Sequence, residues 1–294
     1  MSKPFCATTV NLKPLKSGKP LQAAQYYVLK TLKGDISMRD VQSELDKRNI
    51  SIDRVGISGI SYPITVLDKE RGTQETVASV AMSVGLPHKY RGTHMSRFVE
   101  TLEEFRGRIS PNELESLTDS LITRLEAFKA EVIFRFPYFI RKKAPVSKRE
   151  SWSRYDVIFK AEKTQSKFDF ITEVIVAVQT LCPCSKEISD NGAHNQRAYV
   201  RLAVRMKDFI WIEELVSIIE NCASAPTFSL LKREDEKFIT EYSYNNPRFV
   251  EDVVREIVTR LETDKRISWL KVLVSSSESI HNHDAFAEVE RAYC

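Results

Sequence analysis

Glycine is scarce, nine in 294 residues, and none falls in the spacing of a dinucleotide fingerprint or a Walker loop. Ordinary glycine-rich nucleotide cradles are thereby disfavoured, while a nucleotide held by side chains is not. No run of about 18 apolar residues is present to span a bilayer. The first twenty residues carry lysines and prolines without the apolar segment of a secretory leader. These absences predict a cytoplasmic chain with no membrane role. A large excess of one charge is also lacking: 44 basic against 40 acidic residues leave +4, too little to argue for nucleic acid as a partner. The five cysteines are odd in number and show no disulfide-framework spacing, which fits a reducing compartment with thiols free for metal or catalysis.

Against this background the segment Leu181 to Arg197 stands out, because it packs Cys182, Cys184, His194, Lys186 and Arg197 into one turn-rich loop. Cys182-Pro183-Cys184 does not meet the Cys-x-x-Cys redox spacing. With His194 beside it, the set offers the thiolate and imidazole donors used by zinc, iron or manganese enzymes, and the nearby cations can lower a thiol pKa. A catalytic zinc takes three protein ligands and keeps an open position, so a carboxylate is wanted; Glu236, in an expected linker, is a candidate that would otherwise be an ordinary surface glutamate. A second polar cluster, Ser275 to Asp284, holds His281 and His283, expected on one face of a strand, next to Glu278. That is a proton-transfer set in composition.

Periodicity predicts strands at 54–67 and 75–86, two helices, then strands at 131–142 and 153–163. The second of these helices starts at Ser110-Pro111-Asn112-Glu113, a capping box with proline at the first position, and carries the stripe Leu114, Leu117, Leu121, Leu125 and Phe128. From Lys167 the order recurs: strands at 168–180 and 198–207, helices at 211–222 and 247–262, a strand at 267–276 and a last segment ending near Val289. The second long helix of this half is expected to be capped at Asn246, with Glu251 in its first turn, where a carboxylate suits the helix dipole and can grip an amidine edge. Tyr90 to Phe98, with Arg91, His94 and Arg97 at a strand-to-helix junction, is a candidate anion site. The predicted organisation is an extension with a short helix over 1–52, a first unit over 53–165 and a second over 166–294.

Several ordered stretches carry a family resemblance: Asp40-Val-Gln42, Arg54-Val-Gly56, Tyr62-Pro63, Leu86-Pro87, Arg91 to Phe98, Cys182 to Arg197, Asp235-Glu-Lys237, Asn246 to Glu251 and Glu278 to His283. Over nearly its whole length the chain resembles a GTP cyclohydrolase of the bacterial type IB class. The resemblance implies an α+β tunnelling fold, with two ββααββ units in one chain, antiparallel sheets, helices on one face and assembly into a homotetramer. It implies metal ligands at Cys182, His194 and Glu236, a guanine-gripping carboxylate at Glu251, and further site residues at Glu278 and His281, with His283 close by. The implied reaction opens the guanine imidazole ring of GTP and gives formate and 7,8-dihydroneopterin triphosphate, an early step toward folate. A divalent metal (zinc, manganese or iron) would activate water, Cys182 would belong to the catalytic centre, and Arg91, Arg97, Lys186 or Arg197 would bind the triphosphate. Rival expectations are an archaeal-type cyclohydrolase giving a cyclic phosphate, a tunnelling-fold nitrile reductase, and a structural-zinc module for nucleic acid.

Overall fold

The computed structural model describes residues 40–105 and 107–293. The short helix expected within 1–52 is not found in 40–51, and residues 1–39 lie outside the described residues. The elements run β1 (Ile52–Asp68), β2 (Gly72–Leu86), α1 (Met95–Phe105), β3 (Arg108–Ile109), α2 (Pro111–Leu125), β4 (Lys129–Lys143) and β5 (Glu150–Thr164), then β6 (Phe168–Leu181). They continue with α3 (Pro183–Ile188), β7 (Asn195–Met206), α4 (Ile212–Cys222), β8 (Ala225–Pro226), α5 (Arg233–Asn245), α6 (Val250–Leu261), β9 (Ile267–Ser277) and β10 (Asp284–Ala292). No described helix is long and apolar enough to cross a membrane.

One mixed sheet runs through the whole set, in the order β10-β9-β7-β6-β5-β4-β2-β1-β3, with β8 added to the end of β6. All pairs are antiparallel except β1 with β3. The expectation of separate sheets is thus corrected: β5 pairs with β6 from Asp156↔Ile175 to Lys163↔Phe168, which leaves no free edge between the halves.

Register puts the apolar positions on one face. Val80 faces Phe134, Phe134 faces Phe159, Val157 faces Val174, Leu202 faces both Val174 and Val272, and each is buried. Helices cover this face because their stripes recur at three- and four-residue intervals: Leu114, Leu117 and Leu121 on α2, Leu215 and Ile219 on α4, Val253, Val254 and Ile257 on α6. Each fully buried aliphatic side chain contributes about 1.5–3 kcal/mol relative to exposure. The opposite face is charged and laced with ion pairs, Arg201 to Glu173 at 2.5 Å, Arg205 to Asp169 at 2.7 Å and Lys271 to Glu288 at 3.0 Å. At Gly56 a Cβ would lie 1.9 Å from the Met82 carbonyl oxygen, so β1 and β2 pair there only because the side chain is absent.

Several local expectations are corrected. Ser110 does cap α2, its Oγ accepting from Glu113 N–H at 3.4 Å, but the helix stops at Leu125 with Glu126 left-handed at φ 50°. Phe128 therefore lies past the stripe, and its ring rests on Gly85 where a Cβ would clash. Asn246 does not cap α6; it ends α5, donating from Nδ2 to the carbonyls of Ala223 and Ser224 at 2.9 and 3.2 Å, and α6 begins at Val250. Glu236 sits on helix α5 and not in a linker. His281 and His283 are in the turn between β9 and β10, because the hairpin pairing stops at Asp284↔Ser277.

Candidate active site

Where β6 gives way to β7, the loop between them is closed at its base: Cys182 N–H donates to the His194 carbonyl at 3.1 Å. Proline at the first position starts α3, and Cys182 caps it, its Sγ accepting from Ser185 N–H at 3.3 Å. Leu181 and Arg248 form an isolated antiparallel bridge, with Arg248 N–H donating to the Leu181 carbonyl at 3.0 Å. That bridge draws the start of α6 against the loop. The β9–β10 turn closes a third side, leaving a cleft of about 270 Å³.

Cys182, His194, Glu251, Glu278, His281 and His283 all line this cleft, from three stretches far apart in the chain. On α6 the Asp252 carboxylate takes the capping role, accepting from Phe249 N–H at 3.0 Å, while Glu251 in the same first turn borders the cleft. His194 and Glu278 are well sheltered, with side chains 11% and 15% exposed, and His194 Nδ1 lies 3.9 Å from Glu278 Oε2. The His194 and His281 rings stand edge to face at 6.4 Å, and the His281 and His283 rings stack at 5.0 Å. Imidazole rings beside a sheltered carboxylate bring together the group types that proton transfer uses.

The expected cations are placed elsewhere. Arg91 Nη1 pairs with Glu44 at 3.1 Å, and Arg97 Nη1 donates to the Arg124 carbonyl at 2.8 Å; neither lines the cleft. Lys186 Nζ donates to the Tyr244 carbonyl at 2.5 Å and lies over the Tyr244 ring. Arg197, one residue along β7 from Gln196, faces an adjoining cleft that shares Gln196 as a wall. Cys184 is exposed. Glu236 is exposed on α5 and is not part of the cleft wall.

Two residues that the sequence reading passed over belong to the site. Arg248 supplies the basic side chain of the lining, and its Nε is buried with no hydrogen-bond partner among the described residues. Gln196 bonds to His194, Thr180 and Glu278. The signal for Gln196 was its spacing of two from His194 at the start of a strand, which puts both on one face. Arg248 lies inside the stretch Asn246 to Glu251, where a lone arginine has no spacing to set it apart from a surface cation. Cys222 is outside the site: burial pushes its thiol up to about 11, which suits an inert core cysteine.

Cys182 and His194 suit a borderline metal as a thiolate and imidazole pair, and their common cleft fits that use. The expected third donor is not brought to them within one chain. Among the described residues no group of three cysteine, histidine or acidic side chains is placed to hold a metal, and Glu236, exposed on α5, does not line the cleft.

A family model described as Type I GTP cyclohydrolase folE2 matches residues 38–287. Similar curated proteins, each named GTP cyclohydrolase FolE2, include one from Kosmotoga olearia, 56% identical over 254 residues, covering 86% of this chain and 98% of the relative. Another, from Caldicellulosiruptor bescii, is 54% identical over 253 residues, covering 86% and 98%, and one from Geobacter sp. is 50% identical over 256 residues, covering 87% and 96%. Among solved structures, uricase from Arthrobacter globiformis aligns with a TM-score of 0.51 at 9% identity, covering 82% of this chain and 93% of the uricase. At that identity the likeness concerns the fold alone.

Proposed function

The chain belongs to the type I GTP cyclohydrolase folE2 family, and from that membership we propose that the cleft between the Cys182 loop, the start of α6 and the β9–β10 turn is where the guanine ring of GTP is opened. The reaction is hydrolysis of the imidazole ring, loss of formate and recyclisation to 7,8-dihydroneopterin triphosphate, a step toward folate. One observation carries the placement: Cys182, His194, Glu251, Glu278 and His281 meet in one cleft although the chain separates them by up to 99 positions.

Each side chain has a role its chemistry suits. The Glu251 carboxylate accepts from the ring N–H and exocyclic N–H of guanine, a bidentate and charge-assisted grip, and so turns carbon 8 toward Cys182 and His194. His281, stacked on His283 and beside Glu278, protonates the imidazole nitrogen of the substrate as its bond to carbon 8 breaks. Arg248 faces the triphosphate within the chain, taking the part first assigned to Arg91, Arg97, Lys186 and Arg197; those four contribute only where another chain brings them to the cleft.

Cys182, His194 and Glu236 are the proposed metal ligands, with Glu236 delivered by assembly. A divalent ion there, zinc, manganese or iron, would supply Lewis acidity toward water and the substrate. The succession β1-β2-α1-α2-β4-β5 and β6-β7-α4-α6-β9-β10 supports two ββααββ units of a tunnelling fold; the type IB class, a homotetramer and a place in the cytoplasm are part of the same proposal and rest on the resemblance in sequence.

The test is direct. Purified, metal-replete protein incubated with GTP should release formate and a compound that becomes a fluorescent pterin on oxidation, with the triphosphate retained. A cyclic phosphate product, or no formate, would overturn the assignment.

A further inference from the structure

We infer that Gln196 is a positioning residue which holds the neutral His194 imidazole in a single tautomer, with its proton on Nδ1 and the lone pair of Nε2 left free for the cleft. The carboxamide makes four contacts. Its Oε1 lies 3.0 Å from His194 Nδ1 and accepts a longer bond of 3.5 Å from Ser279 Oγ. Its Nε2 donates to Thr180 Oγ1 at 3.2 Å and to Glu278 Oε1 at 3.4 Å.

A carboxamide can be turned over, and here the surroundings choose its orientation. Thr180 and Ser279 carry hydroxyls that serve either way. Glu278 does not: its ionised carboxylate only accepts, so the amide must present N–H to it. With Nε2 committed to Glu278, Oε1 is what faces His194, and an oxygen there requires a proton on Nδ1. The information thus runs from the β9–β10 turn, through one amide on β7, to the imidazole. Partners of this kind around a ligating histidine fix ring orientation as well as tautomer. Thr180 is almost fully buried and its Oγ1 lies 3.4 Å from Ser276 Oγ, so the amide rests on a sheltered base.

The consequence for metal binding rests on His194 being a ligand, but the tautomer does not, and the two are measured separately. Protein with nitrogen-15 histidine, stripped of metal by a chelator and held where His194 is neutral, is read by long-range proton–nitrogen correlation. The His194 signal is the one missing in His194→Gln. The expected wild-type pattern is Nδ1–H. In Gln196→Met, which keeps the length and removes both polar atoms, the population should move toward the Nε2–H form that an unconstrained imidazole favours. Zinc affinity in Gln196→Met should fall by about 10- to 100-fold. Nε2–H in the wild type, or an unmoved tautomer in folded Gln196→Met, would overturn the inference. Should Gln196→Met fail to fold, the wild-type tautomer alone decides. Loss of zinc binding in neither Cys182→Ala nor His194→Gln would strike the metal reading and leave the tautomer standing.

Discussion

At Glu251 the difference between a carboxylate and a carboxamide of the same shape is the whole of the expected effect. The carboxylate offers acceptors to both N–H groups of guanine, whereas an amide offers one acceptor and sets its own N–H against the other. A hydrogen bond to a charged group is worth roughly 1.5–3 kcal/mol, so Glu251→Gln should lower kcat/KM for GTP by about 10- to 100-fold. The capping bond of α6 belongs to Asp252, so the helix and the bound metal per chain should be unchanged. Circular dichroism and metal analysis check the second half of the statement, steady-state turnover the first. Wild-type turnover in the folded variant would remove Glu251 from the substrate grip.

α5 is held in place by polar contacts, since Asp235 and Ser243 are its only buried side chains. Burial pushes the Asp235 pKa up, but hydrogen bonds from Ser147 Oγ at 2.6 Å, the N–H groups of Lys232 and Ser147 at 2.9 Å and that of Val146 at 2.8 Å outweigh it. Together they hold the carboxyl well below the usual carboxylate range. A folded pKa below the unfolded one means a stabilisation that is complete above the unfolded value of about 3.9 and lost as pH falls toward the folded value. Asp235→Asn, which turns an N–H against these donors, should therefore lower Tm at pH 7, and the gap to wild type should narrow as pH falls below about 4. Thermal unfolding followed across pH measures that gap; a gap independent of pH would mean that the charge is not what anchors the helix. α5 lay outside the periodicity-based assignment because that finds a helix by its apolar stripe, and this one is short of apolar residues, with Phe238 and Tyr242 exposed.

Mixing experiments separate what one chain holds from what assembly adds. His194 and Glu251 line the cleft of the same chain, so each cleft should draw both residues from one chain. Co-assembled His194→Gln and Glu251→Gln chains should stay inactive, because every cleft lacks one of the two. Glu236 lies outside its own chain's cleft, so co-assembled His194→Gln and Glu236→Ala chains should regain activity and bound metal, a site from the Glu236→Ala chain receiving its carboxylate from the other. Activity assays and metal content of purified mixed oligomers check both arms. Silence in the second mixture would place Glu236 in the cleft of its own chain or remove it from the metal.

Strand and helix positions follow local rules, since burial with period two or 3.6 is imposed residue by residue; β1, β2, β4 to β7 and the helices α2, α4 and α6 fall close to where alternation and spacing placed them, with Phe128 left outside the α2 stripe. The site's thiol and imidazole donors were legible for a related reason, because cysteine and histidine are rare enough in this chain for their clustering to show. Long-range contact settled the remainder. The bridge from Leu181 to Arg248 puts a guanidinium in the cleft, the β9–β10 turn brings Glu278 onto Gln196, and α5 leaves Glu236 outside. None of these has a local signature, because each depends on which residues distant in sequence share one wall once the sheet has closed its register.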